Sequence, residues 1–402
     1  MHWDNTQTAL LSIIRQSLWS KSEELPTADW EQVENLARKQ GVLSLLYLGC
    51  NRSEGRVPRE RIQIWRGAML AGVLRNEQLN SDQEEVIRLL EAQSVRSVVL
   101  KGTSAARFYP YPDARCLGDI DLLVDQSNLM QVEQVLAFLG YKKTDHEHKF
   151  HISYIKGNTT IEVHFAASEV PDIAGGYAVQ EEMKCFLNCA HKVTFNEMEF
   201  PVLSDSHQTL LMLLHMERHM LEQGIGLRQL CDWAVFVEKS DKSHWDSYSV
   251  DLIKKCGLLI YASVITKACV RYLGLTKEKS TWCLPVSDLL VDEFIRDVFR
   301  GGDMGKADAG DSSELFINRG TLGDAKQNVL KGMITTLSML SYRNFPITKR
   351  CKMMLPFCWI YLPVRYVVRS LFGLRPRKNV LNSVGVSNRR YSLYKKLHLY
   401  EV

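Results

Sequence analysis

Residues 100–124, LKGTSAARFYPYPDARCLGDIDLLV, set two aspartates one residue apart inside an apolar run. Alternate side chains of an extended strand point to one face, so Asp119 and Asp121 project side by side while Ile120, Leu122 and Val124 go the other way. Two carboxylates that close repel unless something cationic lies between them. A hard divalent ion, held by carboxylates and by a substrate's phosphate oxygens, is the usual solution, which makes the stretch a candidate Mg²⁺ site for phosphate chemistry.

At 402 residues the chain exceeds one ordinary core, and two or three domains are expected. Its 46% hydrophobic and 24% charged residues exclude a chain dominated by disorder. Residues 1–19 lack the basic start, apolar segment and small-residue cleavage site of a secretory signal. No run of about 18 uncharged apolar residues would span a bilayer, so a cytoplasmic location is expected. The ten cysteines are scattered singly, which suits a reducing compartment. Cys185, Cys189 and His191 come nearest to a zinc pattern but have no second half. The net charge of +4 conceals an asymmetry: residues 341–402 hold thirteen Lys and Arg against the single acid Glu401, so that segment carries +12 and the rest of the chain −8.

Periodicity divides the chain into a helical region (1–94), a mixed core (95–203), a second helical region (204–340) and a basic amphipathic segment (341–402). In the core, a strand at 98–100, a short helix at 103–108 and the aspartate strand at 120–124 lead into a helix at 126–139 that stops at Gly140. FHISYIKGNTTIEVHF then alternates around Lys156-Gly157-Asn158 and predicts a hairpin. Glu162 and His164 share the hairpin face opposite Ile161, Val163 and Phe165, so a third carboxylate faces the same way as the aspartates. Later helices are expected at 204–222, 227–238, 249–273 and 287–300, with a Gly- and Asp-rich loop at 301–311. Together these describe an α+β fold, a small mixed β-sheet flanked by N-terminal and C-terminal helical regions.

Each member of the resulting constellation has a chemical reason to be there. Gly102 at a strand-to-helix turn lets backbone N–H groups approach phosphate oxygens, and Thr103 adds a hydroxyl at the positive helix end. Lys101 and Arg115 bring cations. Three carboxylates, Asp119, Asp121 and Glu162, suffice for two Mg²⁺ ions, one at the leaving phosphates and one lowering the pKa of an attacking hydroxyl. Leu100-Lys101-Gly102, Arg115, Gly118-Asp119-Ile120-Asp121 and Glu162-Val163-His164 resemble the motifs of the uncharacterised nucleotidyltransferase family within the polymerase β-like nucleotidyltransferase superfamily. The likeness continues through His215, His219, Arg228 and Asp232. It implies the nucleotidyltransferase core fold and transfer of a nucleoside monophosphate from an NTP to an unidentified acceptor. By the same likeness Asp119, Asp121 and Glu162 are catalytic and hold the metal, and Lys101, Gly102, Thr103, Arg115 and Gly118 bind nucleotide. The spacer between Gly102 and Asp119 is longer than the superfamily pattern, which implies a rebuilt triphosphate cradle with Lys101 or Arg115 in part of its role.

Blander readings attach to the accessory residues. His164 contacts substrate or caps the site. His215 and His219, four apart on one helical face, lack the His-Glu-x-x-His order of metalloproteases, since Met216 follows the first histidine. They are expected to pack between sheet and helical region, with Asp232 paired to Arg228 at i,i+4. The segment 353–378 alternates aromatics with Arg365, Arg369, Arg375, Arg377 and Lys378. Its uncharged part, 353–364, is too short to span a bilayer; it lies in a membrane interface beside anionic headgroups or forms a buried helix with a solvated basic face. No reading module accompanies it, which argues against a nucleic-acid partner. Two rivals to nucleotidyl transfer stand: a non-catalytic scaffold of the same fold, docking on a membrane or an acidic partner through its basic tail, and a Mg²⁺-dependent phosphohydrolase.

Overall fold

The structure, a computed structural model, describes residues 3–50, 56–144, 150–222, 224–303, 334, 337–338, 341–342, 344–345, 347–371, 390 and 392–402. The 301–311 loop beyond residue 303 and the basic residues 372–378 lie outside them. Four helices open the chain: α1 (Asn5–Trp19), α2 (Trp30–Lys39), α3 (Leu43–Cys50) and α4 (Arg59–Ala92). The start of α1 is fixed by a capping box, in which Asp4 accepts from the Gln7 amide at 2.7 Å and the Gln7 side chain accepts from the Asp4 amide. Glu34 ties α2 to α4, accepting from the buried Trp65 indole at 3.1 Å and pairing with Arg61 at 3.3 Å.

The strands β1 (Ser97–Val99), β2 (Ile120–Val124), β3 (Lys142–Lys143), β4 (His151–Lys156), β5 (Thr159–His164), β6 (His191–Phe195) and β7 (Met198–Val202) form one mixed sheet of order 3-4-5-2-1-7-6. Between β1 and β2 comes α5 (Thr103–Ala106), then α6 (Leu129–Phe138) after β2 and α7 (Ala174–Met183) after β5. The central β2 runs antiparallel to β1 and parallel to β5. One sheet face, with Val99, Ile120, Leu122, Val124, Ile161 and Val163, packs on Leu79, Val86 and Leu90 of α4 and Val132 and Leu136 of α6. Each such side chain, fully buried, contributes about 1.5–3 kcal/mol. The opposite face, with Val98 and Leu123, joins a larger core shared with α1, α3, α8 (Asp205–Glu222) and α9 (Leu227–Lys239) and reaching Tyr400.

The architecture is the α+β fold expected: a mixed seven-stranded sheet with helical regions on both sides in sequence. Two details differ. Because helices cover both faces of the sheet, all five residues of β2 are buried, Asp121 included. The helix expected at 249–273 is broken into Val250–Lys255 and Leu259–Ala268 at Gly257, whose φ is +65° and whose carbonyl accepts from the Tyr400 amide at 2.9 Å. A Cβ there would stand 2.5 Å from the Tyr400 carbonyl carbon, so only glycine admits the C-terminal segment. All ten cysteines are free, and among the described residues no helix is long and apolar enough to cross a membrane.

Candidate active site

The chain leaves β1 at Leu100, whose amide donates to the Asp121 carbonyl at 3.0 Å, and turns at Gly102. Gly102 has φ +62° and ψ −112°, a region open to glycine at little cost, and its Cα packs toward the Asp119 carbonyl. The return to β2 is clamped by Asn76 of α4, whose Oδ1 accepts from the Leu117 amide at 2.9 Å and whose Nδ2 donates to the Arg115 carbonyl at 3.0 Å. Arg75 donates to the Gly118 carbonyl at 2.8 Å. Asn76→Ala leaves two backbone groups in a buried setting without that partner, so denaturant unfolding should show a loss of about 2 kcal/mol. A loss near zero would mean that water replaces the clamp.

Asp119, Asp121 and Glu162 come together, with one carboxylate oxygen from each lying within 4.8 Å of the others. The parallel register sets Asp121 beside Glu162, and the hairpin register sets His151 beside His164. Asp121 Oδ1 receives Lys101 Nζ at 2.7 Å and His164 Nε2 at 2.9 Å. Glu162 lies 3.4 Å from His164 and 3.6 Å from His151. The charges separate the two aspartates chemically. The Asp121 charge, with burial, pushes the Asp119 carboxyl up to about 6. Burial raises the Asp121 carboxyl too, but Lys101 and His164 outweigh it and hold it well below the usual range. Glu162 is likewise lowered, burial being outweighed by its hydrogen bond with His164 and by Lys101. For His164 burial favours the neutral ring, yet hydrogen bonds to Asp121 and Glu162 win and raise its pKa.

Beside the carboxylates a cleft between the sheet and α8–α9 is lined by Lys101, Arg115, Gln208, His215, Arg228 and Asp232, among others. Here the structure corrects two expectations. Asp232 pairs with Arg115, not Arg228: Arg115 donates to both its oxygens, at 2.8 and 2.9 Å, and the Tyr109 hydroxyl donates at 2.8 Å. Arg228 instead donates to Asp303 at 3.0 Å, because Asp303 sits against the turn into α9 and also accepts from Gln229. The Thr103 hydroxyl points to α4, where its one hydrogen is shared between the Asn80 side-chain oxygen at 3.0 Å and that of Gln83 at 3.2 Å, since α5 packs with that side inward.

His215 and His219 lie ring against ring, their centroids 4.4 Å apart. Burial and nearby cations drive the His215 pKa well below the ordinary value and that of His219 down to about 3, so both rings are neutral. Among the described residues Cys185, Cys189 and His191 form no metal-binding group.

Sequence reasoning missed His151, Asn76, Tyr109 and Asp303. Only His151 left a signal: a two-residue Gly157-Asn158 turn pairs Lys156 with Thr159, and counting outward brings His151 opposite His164.

No curated protein matches the chain. A crystal structure of an antigenic nucleotidyltransferase-like protein from Paracoccidioides brasiliensis is similar, with 14% identity and a TM-score of 0.32, covering 50% of this chain and 94% of that one. The family described as uncharacterised nucleotidyltransferase matches over residues 26–274, reaching further into both helical regions than the motifs alone. On that match, which spans more than half of its length, this chain belongs to the uncharacterised nucleotidyltransferase family.

Proposed function

We propose that this chain is a Mg²⁺-dependent enzyme that transfers a nucleoside monophosphate from an NTP to an acceptor hydroxyl or phosphate, releasing pyrophosphate. The convergence of Asp119, Asp121 and Glu162 within 4.8 Å carries the reading. Their donor set fits the ion, for it is all hard carboxylate oxygen. Asp119 and Asp121 would hold both ions, and Glu162 the acceptor-side one. Mg²⁺ bound there supplies a Lewis acid for the phosphates and lowers the pKa of the attacking hydroxyl. His164 keeps Asp121 and Glu162 ionised and in place. Lys101, Arg228 and Arg115 all border the cleft, each already paired with a carboxylate (Asp121, Asp303 and Asp232), so a triphosphate would be met by Lys101 and Arg228 sharing those pairs, the two more exposed cations, while Gly102 and Gly118 let backbone come close to it. A cytoplasmic setting accords with ten free cysteines.

Acceptor screening with radiolabelled NTPs tests this directly. Label transfer with pyrophosphate release, abolished by chelation, supports it; orthophosphate release would make the protein a phosphohydrolase. The scaffold reading draws on one observation, that Lys101 and His164 already meet the charge of Asp121 without a metal. Calorimetric titration separates the two, because a scaffold need bind neither Mg²⁺ nor NTP.

The same titration has an expected pH dependence. Asp119 must lose its proton to ligate, and its carboxyl titrates at about 6. Mg²⁺ affinity should therefore rise with pH to a plateau above about 7 and fall about tenfold per pH unit well below 6. A flat profile across that range would remove Asp119 from the ligand set.

A further inference from the structure

The helix Leu355–Leu371 has two apolar faces. On one, Leu355 and Cys358 are buried and the Trp359 indole donates to Ser338 Oγ at 3.0 Å, which ties the helix to the segment just before it. The other carries Phe357, Ile360, Tyr361 and Val364, spaced i, i+3, i+4, i+7 and hence on one stripe, which Met353 extends just before the helix begins. Met353 is 85% exposed, Phe357 75% and Ile360 69%. A contiguous apolar stripe of this size on a protein surface marks a docking site.

We propose that this stripe docks on an anionic membrane surface, the helix lying in the interface with Phe357, Ile360 and Val364 sunk among headgroups and upper acyl chains. Charge selects the partner. By sequence, residues 341–402 carry thirteen basic side chains and one acid, and Lys352 and Arg365 flank the stripe itself. An anionic bilayer matches that charge even with Arg390 and Lys396 engaged by Asp297 and Glu293, whereas a second copy would bring its own excess of basic residues against the first. Length selects the geometry. The uncharged run 353–364 spans about 18 Å as a helix against a hydrocarbon core of about 30 Å, so it lies along the interface and does not cross. Tyr361, half exposed and in ring contact with Phe345, suits the headgroup level. The inference is independent of the proposed reaction and needs no turnover to test.

Flotation of the full-length chain with lipid vesicles provides that test, using phosphatidylcholine alone and mixtures rich in phosphatidylglycerol. The chain should float with the anionic vesicles, weakly with the neutral ones, and be released from the former by high salt. The double variant Phe357→Asp, Ile360→Asp should lose roughly tenfold or more in bound fraction with an unchanged melting temperature, since both side chains are exposed. A second variant, Lys352→Gln with Arg365→Gln, should lose about fivefold per charge and only on anionic vesicles. Equal flotation of the wild type and the aspartate variant, or indifference to lipid charge, would overturn the proposal. So would a chain that ignores vesicles and sediments as a dimer dissociated by the same aspartates, which would give the stripe to a second copy.

Discussion

Replacing Asp232 with alanine lowers the stability of the fold by about 3–5 kcal/mol, the largest structural effect expected of any substitution in the cleft. Asp232 accepts both donors of the Arg115 fork and the Tyr109 hydroxyl, and Arg115 is 8% exposed. A guanidinium does not shed its proton, so removing the carboxylate strands a full charge in a buried setting and leaves Tyr109 without this acceptor. The pair also joins the loop before β2 to α9, so its loss loosens the contact between sheet and helical region. Asp232→Leu combined with Arg115→Met should be milder than Asp232→Ala, because it removes both charges and keeps the volume. Denaturant melts of the single and double variants measure the coupling. A loss below about 1 kcal/mol for Asp232→Ala would show that water reaches Arg115 and that the ion pair does not hold the cleft together.

Local patterns made the sheet core legible, and long-range partners decided the rest. The hairpin carrying Glu162 alternates cleanly, Asp121 stands out within the apolar run Ile120–Val124, and Gly157-Asn158 is a turn signal that fixes register. The β6–β7 hairpin escaped because its two-residue turn is Asn196-Glu197, both at positive φ, where the usual glycine is missing. No expectation attaches to α7, where the Gly175-Gly176 pair weakens the helical pattern; Gly175 is demanded by close approach, since a Cβ there would stand 2.6 Å from the Tyr400 carbonyl oxygen.

The misassigned partner of Asp232 has the same origin as these misses. Helical spacing predicts an i,i+4 pair with Arg228, but each charge finds a better buried partner far along the chain, Arg115 for one and Asp303 for the other. Sequence spacing reports what a helix offers by itself. It is silent on which loop arrives to compete.

In the proposed reaction, removing either aspartate of the pair should cost roughly 10³-fold or more, since several kcal/mol of transition-state charge stabilisation would rest on the metal they would hold. The two losses should not add, because the carboxylates act as one unit. What distinguishes them is stability. Asp121 is held well below its ordinary pKa by Lys101 and His164, so its ionised form stabilises the fold above the unfolded value near 4 and that contribution is lost as pH falls further. Asp119 is the reverse case. Its carboxyl is raised to about 6, so the folded state prefers it protonated and its charge works against folding at neutral pH. Asp121→Asn should therefore destabilise, while Asp119→Asn should stabilise the metal-free chain by about 1–3 kcal/mol at neutral pH. That gain should appear as pH rises from about 4 to about 6 and be absent below, where aspartate is protonated whether folded or not. Thermal melts across pH beside transfer assays check both halves, and an Asp119→Asn protein that retains Mg²⁺-dependent turnover, or that melts lower than wild type at neutral pH, would defeat the assignment.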